Sequence, residues 1–212
     1  MGPVLHAGQP VRFAGPDPAR ARLTMILVHG RNAAAENILD VGRRLQIDDI
    51  AYAAPEAAGH TWYPHSFLAP IADNEPSLSS ALGVLEELVG SLEARGIPGA
   101  RIGLLGFSQG ACLALEFAAR HARRYAAVVG LSGGLIGPPG TPRDYQGSLA
   151  GTPVLLACSD TDPHIPLERV YESAAVFRRL GATVLKIVYP HMAHTIVDDE
   201  IERVRGLLAS RP

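Results

Sequence analysis

Cysteine is scarce. Only Cys112 and Cys158 occur in a chain of 212 residues, too few for a disulfide framework or a four-thiolate metal site. Long apolar runs are missing as well. Stretches such as 23–28 and 126–131 fall far short of the roughly 20 residues that a membrane-spanning helix requires. Neither sign of charge dominates, with 19 Lys+Arg against 21 Asp+Glu and a formal net charge of −2. The chain therefore has no basic surplus with which to neutralise phosphates, and nucleic-acid binding is set aside. Residues 1–22 carry Gly, Pro, Asp and Arg where a secretory leader would carry an apolar block. They read as an irregular or edge-strand segment. Internal repeats and low-complexity tracts are also lacking.

What is plentiful is core-forming material. Hydrophobic residues make up 47% of the chain and charged residues 19%, enough for one large core and too much for wholesale disorder. The expectation is a single domain over 1–212 in a reduced, cytoplasmic compartment, without a membrane span.

Short apolar runs alternate with helical patterns. Residues 23–29, 50–54, 102–105, 126–131, 154–157 and 183–188 read as strands. Residues 34–45, 78–92, 109–122, 167–180 and 195–209 read as helices; in 78–92 six apolar residues fall on one stripe. Strands separated by helices of ten or more residues imply an α/β fold, a mostly parallel central sheet with helices on both faces. Right-handed crossovers put every strand's C-terminal end on one edge, where ligands bind. No stretch is long enough for a separate cap domain.

Chemistry concentrates on that edge. After the strand at 102–105 comes Gly106-Phe107-Ser108-Gln109-Gly110, a G-x-S-x-G elbow between a strand and a helix. Only glycine fits two residues before and two after a serine held in so sharp a turn. The Gln109 amide opens the following helix, a ready donor to developing negative charge. A serine hydroxyl needs a base, and the base needs an orienting carboxylate, here expected later in the chain in the order Ser, Asp/Glu, His. The loop after 154–157 offers Asp160 and Asp162, and the loop after 183–188 offers His191 and His194. The residue pattern does not choose within either pair. His194 precedes the helix expected to begin at Thr195. His29-Gly30-Arg31, ending the first strand, offers the Arg31 amide as a second oxyanion donor. His29 itself reads as a brace for the loop, while the Arg31 side chain reads either as an anion attractor or as a solvated group.

The loop at 60–68 gathers Trp62, Tyr63 and Phe67 at the ligand edge. Together with Ile165 they are the candidate walls of a substrate pocket, the alternative being that the aromatics seal the core beneath a long loop. His60, His65, His164, His191 and His194 come from different loops without metal-ligand spacing, so neither a metal nor a cofactor is expected. Cys112 and Cys158 read as small buried residues.

With these residues assembled, the sequence resembles the phospholipase/carboxylesterase family of α/β-hydrolases, which includes the acyl-protein thioesterases. The likeness runs from about Leu23 to the C-terminus. It is carried by Leu27-Val28-His29-Gly30, Ala54-Pro55, Thr61-Trp62-Tyr63, the Gly96-Ile97-Pro98 turn, Gly106-Phe107-Ser108-Gln109-Gly110, Asp162-Pro163-His164-Ile165-Pro166 and Met192-Ala193-His194. The resemblance implies Asp162 as the acid, His194 as the base, and the amides of Arg31 and Gln109 as oxyanion donors. Where the family often continues His-Gly-Leu-Gly-Asp, this chain has His29-Gly30-Arg31-Asn32-Ala33; a backbone donor survives that change because any residue there has an N–H. The implied activity is hydrolysis of small to medium carboxylic esters or thioesters through an acyl-enzyme. The rivals are a non-catalytic ligand-binding protein on the same fold and a lactone or peptide hydrolase using the same residues. The expected partner is a small-molecule substrate, with a homodimer left open.

Overall fold

The computed structural model describes residues 5–209; residues 1–4 of the N-terminal segment lie outside the described residues. Seven strands form one sheet: β1 (Val11–Ala14), β2 (Leu23–Val28), β3 (Ile50–Pro55), β4 (Ile102–Phe107), β5 (Val128–Leu131), β6 (Pro153–Ser159) and β7 (Thr183–Tyr189), in the order β1-β3-β2-β4-β5-β6-β7. Only β1 runs antiparallel, pairing Val11 with Pro55 and Ala14 with Tyr52. The segment at 1–22 therefore supplies an edge strand.

Period-two alternation divides the inner strands between two cores. Ile26, Val28 and Leu104 face one apolar cluster, into which α2 (Ser77–Ala94), α3 (Gln109–Arg120) and α4 (Leu167–Arg179) pack. Met25, Leu27 and Leu105 face the other, covered by α1 (Ala35–Arg44) and α5 (Asp198–Ala209). All six residues of β2 and of β3 are buried, which is why they read as unbroken apolar runs. The fold is thus the α/β-hydrolase sheet with helices on both faces. Among the described residues, no helix is long and apolar enough to cross a membrane.

One boundary differs in a way that matters. The last helix begins at Asp198, not Thr195. Thr195 turns back, its amide donating to the Ala193 carbonyl at 2.8 Å. Glu200 reaches back to the Val197 N–H at 3.0 Å, half of a capping box that fixes the start three residues later. The extra loop carries His194 over the sheet edge.

Candidate active site

The elbow's glycines are fixed by sterics. A Cβ on Gly106 would lie 2.2 Å from the Gly110 carbonyl oxygen, and one on Gly110 would lie 2.1 Å from that of Val28. Both positions must lack a side chain for β4, β2 and α3 to approach this closely. Ser108 between them has φ 54° and ψ −120°, left-handed backbone that a serine adopts only when its surroundings enforce it. Its amide donates to Leu131 on β5, and its carbonyl accepts the Cys112 N–H, both at 3.0 Å. The hydroxyl is thereby aimed off the sheet edge.

Two loops converge on that hydroxyl. The His194 ring lies with Nε2 2.8 Å from Ser108 Oγ and Nδ1 2.7 Å from Asp162 Oδ2. With Nδ1–H donating to the carboxylate, Nε2 is left as the acceptor for the serine O–H. The Asp162 side chain is fully buried, and its other oxygen accepts the amides of His164 at 2.8 Å and Ile165 at 3.1 Å. Burial pushes this carboxyl up, but the hydrogen bonds from His194 and from the two amides outweigh it, holding Asp162 below the usual carboxylate value. Phe107 packs against the His194 ring at 5.1 Å, and His164 meets it edge-on at 4.9 Å.

The two decoys pair with each other instead. Asp160 Oδ1 accepts the His191 amide at 2.7 Å and stands 3.9 Å from its ring, which is exposed. His60 pairs with Glu56 at 3.2 Å.

Beside Ser108, the amides of Arg31 and Gln109 make no hydrogen bond among the described residues. The two side chains do something the sequence did not suggest. Gln109 accepts the Trp62 amide at 3.0 Å and donates to the Tyr63 carbonyl at 2.8 Å. Arg31 donates to the carbonyls of Tyr63, Pro64 and His65 at 2.7–3.0 Å. Its guanidinium is neither a free anion site nor simply solvated; it ties down the aromatic loop. His29 is fully buried and accepts the Ala57 amide at 3.1 Å while donating to the Gly30 carbonyl at 2.8 Å. Burial lowers its pKa, so it is the neutral brace of this loop.

A cleft of about 480 Å³ opens over Ser108, with Tyr63, Phe67, Cys112, His164, Ile165 and His194 among its walls. Trp62 is not one of them. Its indole is wholly buried and donates to the His29 carbonyl at 2.9 Å, so it is a core residue and the pocket assignment made from its loop position is corrected. An indole in this cleft would forfeit that buried partner. A second, smaller cleft of about 320 Å³ lies against His194 on the α1 side, walled by Ile38, Val41, Phe107 and Ile196. Cys112 lines the main cleft because it follows Ser108 by one helical turn, a spacing that was visible in the sequence. The clamp roles of Arg31 and Gln109 had no such signal. Among the described residues, no group of three or more His, Cys, Asp or Glu is placed to hold a metal ion.

Comparison with known proteins places the chain in a family. The family model described as phospholipase/carboxylesterase matches residues 16–210. An acyl-protein thioesterase 1 from Gibberella zeae is 32% identical over 118 residues, 53% of this chain and 49% of that protein. One from Schizosaccharomyces pombe is 32% identical over 106 residues, 50% of this chain and 47% of that protein. The chain thus matches about half the length of these curated relatives. Among solved structures, a phospholipase/carboxylesterase from Dyadobacter fermentans superimposes with a TM-score of 0.92 at 39% identity, covering 96% of this chain and 97% of that one.

Proposed function

The chain belongs to the phospholipase/carboxylesterase family, and from that membership and the geometry at Ser108 we propose that it is a serine hydrolase cleaving carboxylic esters or thioesters of small to medium acyl groups. The observation that carries the reading is the unbroken relay from Asp162 through His194 to Ser108, with steps of 2.7 and 2.8 Å. In this reading His194 takes the Ser108 proton as Oγ attacks the acyl carbon. The Arg31 and Gln109 amides receive the negative charge on the carbonyl oxygen. His194 then returns the proton to the departing alcohol or thiol. Water, deprotonated by the same imidazole, attacks the acyl-enzyme and releases the acid. Asp162 stays ionised, holding the ring's tautomer and offsetting the imidazolium charge.

Ser108→Ala should lower kcat/KM for 4-nitrophenyl acetate by about 10³-fold or more, because members of such a relay act as a unit. A fluorophosphonate should label the parent protein stoichiometrically at Ser108; a folded parent that takes no label would favour a binding protein instead. A panel of esters, thioesters, lactones and peptides ranks the acyl-transfer chemistries. The proposal also covers one domain in the cytoplasm, tested by fractionation, while sedimentation counts the copies per particle.

A further inference from the structure

His194 is a wall of two clefts. The main one also contains Ser108; the second, of about 320 Å³ on the α1 side, contains His194 without Ser108. Gly30 brings this second cleft up against the nucleophile. A Cβ on Gly30 would lie 3.5 Å from the Phe107 ring and 3.5 Å from Ser108 Cβ, so bare backbone is all that stands there.

The walls of the second cleft are apolar: Ala33, Ile38, Val41, Phe107 and Ile196. Ile38 and Val41 lie one turn apart on α1 and are both buried. Ile196 joins them because the last helix starts at Asp198 and leaves it in the preceding loop, which Glu200 fastens through the Val197 amide at 3.0 Å. The polar neighbours are already engaged. His29 uses both ring nitrogens, one on the Gly30 carbonyl and one on the Ala57 amide. Arg44 pairs with Asp198 at 2.9 Å, and Asn37 accepts the Ala34 amide at 2.8 Å. What this cleft gives a ligand is apolar contact with the imidazole at its end.

Resting on the serine-hydrolase reading, we infer that the second cleft is the leaving-group site, and that it selects esters or thioesters whose alcohol or thiol half is apolar. The two halves of an ester diverge from one acyl carbon. The acyl half becomes bonded to Ser108 Oγ and stays with the cleft that holds Ser108. The other half needs only a proton from His194 and then departs, so it belongs in the cleft that holds His194 alone. Burying each methylene there is worth about four-fold. A charged leaving group would shed its water against hydrocarbon with nothing to replace it.

The experiment runs the second half-reaction with alcohols in place of water. The protein is acylated with 4-nitrophenyl acetate in the presence of ethanol, butanol or hexanol, and initial rates of alkyl acetate and acetate formation are compared. The alcohol gives its proton to His194 as its oxygen bonds the acyl carbon; the bond to Ser108 Oγ breaks and Oγ takes that proton back. The product ratio is set after 4-nitrophenol has gone, so it reads the alcohol's own site. Per mole of alcohol, the ratio should climb about four-fold for each methylene in the parent until the cleft is full. Ile196→Trp, which fills the cleft, should flatten that climb while leaving the ranking of acyl lengths among 4-nitrophenyl esters as in the parent. Ile196→Ala should carry the climb to longer alcohols, and it serves if the tryptophan variant does not fold. A flat ratio in the parent, a climb unchanged in both variants, or an altered acyl ranking with an unaltered climb overturns the inference. Fluorophosphonate labelling of Ser108 together with any of these sinks this inference alone. No labelling and no hydrolysis sinks the hydrolase reading with it.

Discussion

Gly106 and Gly110 hold the elbow by having nothing where a side chain would begin. Either one changed to Ala would drive a Cβ to within 2.2 Å of backbone, and backbone cannot swing aside as a side-chain tip can. We expect Gly110→Ala to cost more than about 3 kcal/mol, read as a fall in the urea midpoint. Glu200 makes the opposite kind of statement. Burial pushes its carboxyl from 4.5 up to about 7, so between those values the folded chain binds a proton that the unfolded chain has lost. Stability then falls as pH rises through that window, by about 3 kcal/mol in all. Glu200→Gln keeps an acceptor for the Val197 amide, so its unfolding free energy should vary less with pH there and exceed the parent's at pH 8. Asp162 works in the other sense. Held below its ordinary value, it contributes stability above the unfolded pKa that is lost as pH falls through the folded one. At this scale the glycines were legible in the sequence because backbone strain admits nothing else. The choice between Asp160 and Asp162, or His191 and His194, was not, because it turns on where each side chain points after its strand ends. Only the family resemblance broke that tie.

Between β3 and α2 the chain runs 21 residues as loop and short 3₁₀ turns, a length that would ordinarily mean mobility. Here it is fastened from several sides. Gln109 and Arg31 grip residues 62–65, Asn74 accepts the His65 amide at 2.8 Å and donates to the Ser66 carbonyl at 3.0 Å, and His6 meets the Trp62 carbonyl at 2.9 Å. The residue after the proposed nucleophile thus has two tasks, its amide facing the cleft and its amide side chain holding the cleft's wall. Gln109→Ala keeps the first and removes the second. The Trp62 amide should then exchange with solvent about 5–30-fold faster, the loss of one or two net hydrogen bonds, and KM should rise more than kcat falls. The sequence announced a loop with aromatics but not its fastening, because polar side chains that bond distant carbonyls leave no periodicity. For the same reason Trp62 looked like a wall and proved to be core. Elements with strong patterns were recovered closely: the stripe at 78–92 lies within α2.

Two apolar clusters, one on each side of a single sheet, share every strand from β2 to β6 between them, so neither can melt while the other stands. We propose that the chain unfolds as one unit, with calorimetric and van't Hoff enthalpies equal and near about 150 kcal/mol at 60 °C. A second transition would divide the domain. The alternation of strands and helices made this architecture legible. The outermost strand was legible only as an irregular or edge-strand segment without bounds, since Val11–Ala14 is four residues, partly exposed, and too short to show a period. The fastened loop over an uncapped cleft also bears on how the protein would meet a poorly dissolved substrate. A site that needs no uncovering gains nothing from an oil–water boundary. Turnover should therefore climb smoothly and saturate as an ester is raised through its solubility limit, with no lag and no jump when droplets or micelles appear.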